Sequence, residues 1–177
     1  MKRLVADPLK CLACRACELA CALAHTESDD LVEAIFEGGA KPRIYIEWAG
    51  GLAVPLQCRH CEDAPCVRVC PTGALSRLGE ADLQDEGPVL ADQEKCIGCA
   101  FCVQACPFGV IRIASGGKVI IKCDLCVTRQ AEGLQPACVA ACPVAALTLE
   151  DVAENAKRAR AKAAAEVAAV SVAHSRE

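Results

Sequence analysis

The 177 residues suffice for one domain or two small ones, and 54% of them are apolar, yet only 3% are aromatic. Much of that apolar fraction is alanine, valine and cysteine, so large side chains are too few to fill an ordinary core, and something inorganic is expected inside. The formal charge of −4, with no basic stripe to offset it, excludes a nucleic-acid partner, and the lack of any apolar run of about 18 residues excludes a direct membrane span.

From the start, Met1 to Pro8 lacks the apolar stretch of a secretory signal and Cys11 follows at once, so a cytoplasmic location is expected, with membrane association only through partners. Residues 18–36 read as helical, divided near Ser28-Asp29-Asp30, with Asp29 or Asp30 as an N-cap. Arg43 to Trp48 alternates like a strand, Gly50-Gly51 turns the chain, and Leu52-Ala53-Val54 returns. Val110 to Ile113 and Lys118 to Ile121 read as a hairpin around Ala114-Ser115-Gly116-Gly117, and Ala146 to Leu149 as a last short strand. From Glu150 to Ser171 the chain is alanine-rich, charged and free of glycine and proline, which favours a helix. Val152, Ala156, Ala159, Ala163, Val167 and Val170 share one face of it. That face either packs on the body of the protein or docks on a partner.

The 16 cysteines fall into four groups of four with none left over. Cys11, Cys14, Cys17 and Cys21 follow C-x2-C-x2-C-x3-C. Cys58, Cys61, Cys66 and Cys70 follow C-x2-C-x4-C-x3-C before Pro71. Cys96, Cys99, Cys102 and Cys106 return to the first spacing before Pro107. Cys123, Cys126, Cys138 and Cys142 follow C-x2-C-x11-C-x3-C before Pro143.

A C-x2-C-x2-C loop presents three thiolates from one compact turn whose amides point inward, which suits three corners of an iron–sulfur cubane. The fourth ligand comes from elsewhere; in two-cluster bacterial ferredoxins the cysteine before the proline ligates the other cluster. Structural zinc takes two separated knuckles per tetrahedral site, so the first and third groups fit it poorly, while the fourth group alone would pass as zinc. Disulfides need an oxidising compartment, for which nothing in the sequence speaks. With no histidine substituting for a cysteine, four complete [4Fe–4S] clusters are expected, and ligation by four thiolates each takes the net charge to roughly −12.

The remaining polar residues carry no catalytic pattern. His25, His60 and His174 have no nucleophile to activate, His60 reading as a group beside the ligands or on the surface and His25 as capping or packing beside its short helix. Gly50-Gly51 and Gly116-Gly117 form no phosphate cradle. No catalytic residue is expected, and the chemistry belongs to a partner. Arg59, Arg68, Lys122 and Arg129 lie near ligands and either raise cluster potentials or are solvated surface charge. Tyr45 and Trp48 are expected to cover the core.

The stretches Cys58-Arg59-His60-Cys61-Glu62-Asp63-Ala64-Pro65-Cys66, Cys70-Pro71-Thr72-Gly73-Ala74-Leu75, Cys106-Pro107-Phe108-Gly109-Val110-Ile111 and Lys122-Cys123-Asp124-Leu125-Cys126 resemble the four-cluster ferredoxin-like electron-transfer subunits. These serve formate dehydrogenases, formate hydrogenlyase, dimethyl sulfoxide reductase and carbon monoxide dehydrogenase. The resemblance covers about residues 1–150 and implies an α+β fold of two nested bacterial-type ferredoxin modules, an outer one of about 1–36 and 118–150 and an inner one of about 52–117. Residues 151–177 lie outside it as a C-terminal α-helix. It also implies four ligand sets: Cys58, Cys61, Cys66 with Cys106; Cys96, Cys99, Cys102 with Cys70; Cys11, Cys14, Cys17 with Cys142; and Cys123, Cys126, Cys138 with Cys21. Ala22, where a proline is usual after the last cysteine, departs from the pattern and leaves the chain's exit there open.

Within the family, Cys17 to His25, Glu33-Ala34-Ile35 and Pro42 to Glu47 look most like the subunit associated with carbon monoxide dehydrogenase. The function so implied is relay of single electrons between that enzyme and a second donor or acceptor, in anaerobic metabolism. An equivalent subunit of a formate dehydrogenase, hydrogenase or molybdopterin oxidoreductase is the alternative, as is a cluster-bearing maturation factor.

Overall fold

The computed structural model describes residues 2–28, 30–79, 87–114 and 120–174, with the side chains of residues 169–174 excepted. The chain runs through β1 (Lys2–Ala6), α1 (Ala16–Leu23), α2 (Leu31–Phe36), β2 (Ile44–Ala49), β3 (Leu52–Gln57), α3 (Pro65–Arg68), β4 (Leu75–Arg77), β5 (Val89–Ala91) and α4 (Phe101–Ala105). It continues through β6 (Arg112–Ile113), β7 (Ile120–Ile121), α5 (Val127–Ala131), α6 (Ala137–Ala140), β8 (Leu147–Asp151) and α7 (Val152–His174). The class is α+β, and the sixteen cysteines fit two ferredoxin modules.

Among the described residues the strands form four antiparallel pairs, β1–β8, β2–β3, β4–β5 and β6–β7. The β2–β3 hairpin closes on a two-residue turn with Ala49 opposite Leu52. Gly50 and Gly51 both have positive φ, 58° and 79°, which a hairpin turn of this length requires. The expected hairpin of residues 110–121 is present in the pairing of Arg112 with Ile121 and Ile113 with Ile120, while its turn, residues 115–119, lies outside the described residues. Three strands escaped the sequence reading. β1 pairs with the predicted last strand, Leu4 opposite Leu149, and joins the two ends of the body; β4 and β5, three residues each, are too short to show a period of two.

The helical stretch divides as expected. Asp30 caps α2, its Oδ1 accepting from the backbone N–H of Val32 and Glu33 at 2.7 and 3.1 Å. The other helices of the body are four to eight residues long: α1, α3, α4 and α6 each carry a cysteine and stop soon after it, and α5 starts directly after Cys126. Cys106, held extended at φ −75°, ψ 114°, shows the reason: the residue before a proline is kept out of the helical region.

The interior is two cores built largely from cysteine and small residues. Leu4, Ile44, Ile46, Val110, Leu125 and Leu147 pack around Cys17, Cys21, Cys58, Cys123 and Cys138. Ala64, Ala74, Leu75, Val89, Ile111 and Ile120 pack around Cys66 and Cys102, and Cys106 touches both groups. Two expectations need correction. Trp48 is 66% exposed: it follows Ile44 and Ile46 on their face of β2 and stands opposite buried Ala53, but most of its large ring projects beyond that small partner into solvent. The C-terminal helix does not pack on the body, since among residues 152–168 all but Asn155 are exposed, and its small apolar side chains have too little area to hold it down.

Candidate metal centres

The four cysteine groups open on one backbone device. The residue before each second cysteine is left-handed: Ala13, His60, Gly98 and Leu125, with φ of 55°, 48°, 74° and 61°. Only one of these is glycine, and each of the others stores roughly 1–2 kcal/mol of strain, the kind retained where geometry serves a site. The turn points an amide at a sulfur. The N–H of His60 donates to Cys58 Sγ and that of Leu125 to Cys123 Sγ, both at 3.4 Å. A further left-handed residue then starts a helix: Arg15 before α1, Ala100 before α4 and Cys126 before α5.

The exits repeat as well. After Cys70, Cys106 and Cys142 come a proline and a left-handed Gly73, Gly109 or Ala145, whose N–H donates back to the cysteine carbonyl at 3.4, 3.3 and 3.3 Å. At the last of these the N–H of Ala146 also reaches Cys142 Sγ, at 3.2 Å. Cys21 differs, as Ala22 foretells: α1 runs on through Leu23, and the amide that serves Cys21 Sγ comes from Arg43 at 3.3 Å.

These loops gather the cysteines into sets. Cys11, Cys14, Cys17 and Cys142 line one cavity with Ile46 and Pro55. Cys58, Cys61, Cys66 and Cys106 line a second with His60 and Val89. Cys70, Cys96, Cys99 and Cys102 line a third with Ile113 and Ile120. The last four stand near one another and near the first set: after burial, Cys21, Cys126 and then Cys17 push up the Cys138 thiol, and Cys138 and Cys21 both push up Cys123.

The donor sets call for a strongly positive occupant. Burial pushes Cys17 and Cys66 up to about 11, Cys138 to about 12 and Cys123 well above its ordinary value. Thiols so placed ionise only against nearby cationic charge, which a metal centre supplies. His60 adds a second indication. Burial, then the charges of Lys122 and Arg3, lower it to about 3, so the ring is neutral. Its Nδ1 accepts from the Val89 N–H at 3.1 Å, which leaves the proton on Nε2. Among the described residues that buried donor has no acceptor, and it belongs to the wall of a sulfur-lined cavity.

Other side chains fall into place around the sets. His25 does pack beside its helix, Nδ1 against the Cys21 carbonyl at 2.6 Å and Nε2 on Asp124 at 3.1 Å, where Arg43 also binds at 2.6 Å. Asp124 and Arg43 were not singled out in the sequence; the signal available was an acid inside a C-x2-C knuckle. Of the four cations near ligands, Arg68 pairs with Asp63 in solvent, Arg59 lies over Phe108 at 5.9 Å and Arg129 binds the Gln135 carbonyl. Lys122 alone of the four is buried, at 2% exposure.

Two ferredoxin modules whose loops converge cysteines in fours define an iron–sulfur electron-transport protein. The family described as "4Fe-4S dicluster domain" matches residues 50–152, and the chain belongs to it. It is 42% identical over 160 residues to an "Iron-sulfur protein" of Rhodospirillum rubrum, covering 83% of this chain and 80% of that one. It is 40% identical over 163 residues to "Electron transport protein HydN" of Escherichia coli (strain K12), covering 84% and 87%. To "Thiosulfate reductase electron transfer subunit PhsB" of Salmonella typhi it is 39% identical over 146 residues, covering 80% and 71%. The cofactors are accordingly four [4Fe–4S] clusters, two to a module.

Proposed function

We propose that the chain is the electron-relay subunit of an oxidoreductase, with one redox partner at each end of a row of clusters and no catalysis of its own. One observation carries this reading. Cys14 and Cys99 are exposed, and they belong to different sets and different modules, whereas Cys21, Cys123, Cys126 and Cys138 are all buried. Two sets thus meet solvent through one cysteine each, beside exposed Leu9 and Leu12 at one and Ile97 and Phe101 at the other, and the relay reading puts the remaining two sets between them. A [4Fe–4S] cluster, when bound, accepts and gives up single electrons. The protein's part is to hold the sets in sequence, aim amides at sulfur, and keep water from the interior pair.

In this reading the ligand sets are Cys11, Cys14, Cys17 and Cys142; Cys21, Cys123, Cys126 and Cys138; Cys58, Cys61, Cys66 and Cys106; and Cys70, Cys96, Cys99 and Cys102. The three cavities and the mutual influence of the fourth set support that assignment. The outer module is about 1–36 with 118–150 and the inner about 52–117, the β6–β7 pair lying across the seam. The catalytic partner is carbon monoxide dehydrogenase, on the resemblance of Cys17 to His25 and Pro42 to Glu47, and the second partner a further electron donor or acceptor. The setting is the cytoplasm; among the described residues no helix is long and apolar enough to cross a membrane.

The test is an anaerobic affinity pull-down from the native host with metals counted in the eluate. Nickel, with iron well above this chain's own complement and a nickel hydrogenase excluded by mass spectrometry, is the expected result. Molybdenum or tungsten instead overturns the choice of partner and leaves the relay standing. In the purified complex, Cys14→Ser is expected to break exchange with one partner while the inner clusters still assemble. Normal exchange at both ends with every cluster intact would falsify the relay.

A further inference from the structure

Lys122 sits where two of the cysteine sets meet. Its Nζ donates to the carbonyl of Val89 at 2.5 Å and to that of Cys123 at 2.8 Å. Val89 lines the cavity of Cys58, Cys61, Cys66 and Cys106, and its N–H holds His60 in the same wall. Cys123 belongs to the neighbouring set. One side chain therefore reaches from the wall of an inner site to a residue of an outer one, across the seam between the modules.

The position is an expensive one for a cation. At 2% exposure Lys122 has lost nearly all contact with water, and among the described residues its partners are two neutral carbonyls, with no carboxylate to pair it. A buried charge needs a counter-charge or a dense set of hydrogen bonds. The described residues supply two bonds and no anion, while the two sets beside it each hold four buried or half-buried thiols. A cubane bound by four thiolates is a net anion in its oxidised form and more so when reduced. The pairing is reciprocal: anionic clusters hold the ammonium inside, and the ammonium favours the more negative, reduced state of each.

We propose that Lys122 is the internal counter-cation of the two clusters at the module seam and raises the reduction potential of both. It is a positioning residue for the step between modules, and the inference rests on the relay reading above. Its charge keeps the interior pair from becoming the high-energy point of the row, where partial burial in an apolar core disfavours the more highly charged state.

The test uses the anaerobically purified holoprotein without partners, comparing Lys122→Gln, Lys122→Arg and, as a surface control, Arg68→Gln. Iron and sulfide per chain report assembly, and a redox titration followed by electron paramagnetic resonance reports the midpoints. The expected result is full iron in all three, with two midpoints falling in the Gln variant alone. Each should fall by about tenfold in the reduction equilibrium, which is about 59 mV for one electron. Iron loss in the Gln variant with an intact Arg variant also supports the counter-cation. Unchanged midpoints in a fully loaded Gln variant overturn it. So does a fall as large in the Arg variant, or iron loss in both Lys122 variants, either of which marks a steric strut. Failure of the relay reads out separately, as absent exchange with partners while the midpoints still answer to Lys122.

Discussion

His25 reaches Asp124 across 99 residues of chain, Nε2 to Oδ2 at 3.1 Å, and Arg43 closes on the same carboxylate at 2.6 Å. Burial works against charge on His25, but the bond to Asp124 and the contacts with Cys21 outweigh it and raise the imidazole to about 9. The Asp124 carboxyl is held well below the usual range: burial opposes this, and His25 and Arg43 overcome it. The result is a charged triad tying α1 and the start of β2 to the knuckle of Cys123 and Cys126. Asp124→Asn keeps the shape and removes the anion, leaving two partly buried cations facing a neutral amide. The expected loss is about 1.5–3 kcal/mol, the range for hydrogen bonds to charged groups. Anaerobic thermal unfolding of the holoprotein should show a lowered midpoint. An unchanged one means that the triad is incidental to stability.

The turn after Cys-Pro offers a second measurement. Gly109 and Ala145 occupy equivalent places, at φ 62° and 48°, and both return a hydrogen bond to the preceding cysteine. A Cβ added at Gly109 meets no atom within 4 Å outside its chain neighbours, so the left-handed backbone is the main obstacle to a β-branched side chain there. Gly109→Val should cost about 1–3 kcal/mol, the range for a non-glycine residue forced into a sparsely populated region. Ala145→Gly relieves strain but loosens the unfolded chain, and should change stability by less than about 1 kcal/mol in either direction. Denaturant unfolding of the two variants side by side checks both. A tolerated valine at Gly109 would show that the turn is free to rearrange.

The cysteine spacing carried most of this architecture because each group is local: a left-handed turn, a short helix and a proline stop need only consecutive residues. The Gly50-Gly51 hairpin and the Asp30 cap were legible for the same reason. What escaped depends on partners distant in sequence. β1 has five residues and acquires its meaning only opposite β8. Asp124 is unremarked until His25 and Arg43 arrive beside it. Lys122 could not be told from Arg68 by sequence, since both stand near ligands, and burial at 2% against a solvated ion pair separates them only in three dimensions. Trp48 misled because alternation fixes the face of a strand and says nothing of how much of a large ring its neighbours can cover, here the small Ala53 opposite it.

The C-terminal helix supports a deletion experiment. Residues 152–168 are exposed apart from Asn155, whose Nδ2 bonds Glu150, and the cap of the helix is Asp151 Oδ1, accepting from Ala153 and Glu154. Ending the chain after Arg158 keeps the cap and the Asn155 contact, and the described side chains that it removes, those of residues 159–168, are all exposed. Iron content and unfolding midpoint should match those of the full chain. Should iron be lost, the helix must cover a set of cysteines in the loaded protein, contrary to the exposure of residues 156–168.

Removal of iron should have the opposite outcome, because the cores are incomplete without the clusters. Cys17, Cys21, Cys58, Cys123 and Cys138 are members of one buried group and Cys66 and Cys102 of the other. Around them stand mostly alanine, valine, isoleucine and leucine, and the chain has only three phenylalanines and one tryptophan in all, the tryptophan on the surface. Apolar burial at about 25 cal/mol per Å² therefore draws on a small area. Against it stand the strained left-handed residues of the ligand turns and the chain entropy of long irregular segments. Metal ligation is what offsets these, and ligand binding of that kind is itself folding free energy. Anaerobic chelation with mild oxidation, followed by reduction and gel filtration, should yield an expanded chain with all 16 thiols open to a titrating reagent under native conditions. Cooperative unfolding by circular dichroism should disappear, and return only when iron and sulfide are restored together. Zinc alone satisfies four thiolates at a single centre and brings no sulfide to fill a cubane-sized space, so it should not restore the transition. If the metal-free chain instead unfolds cooperatively with its thiols protected, the protein part of the core is sufficient by itself and the clusters are passengers in it.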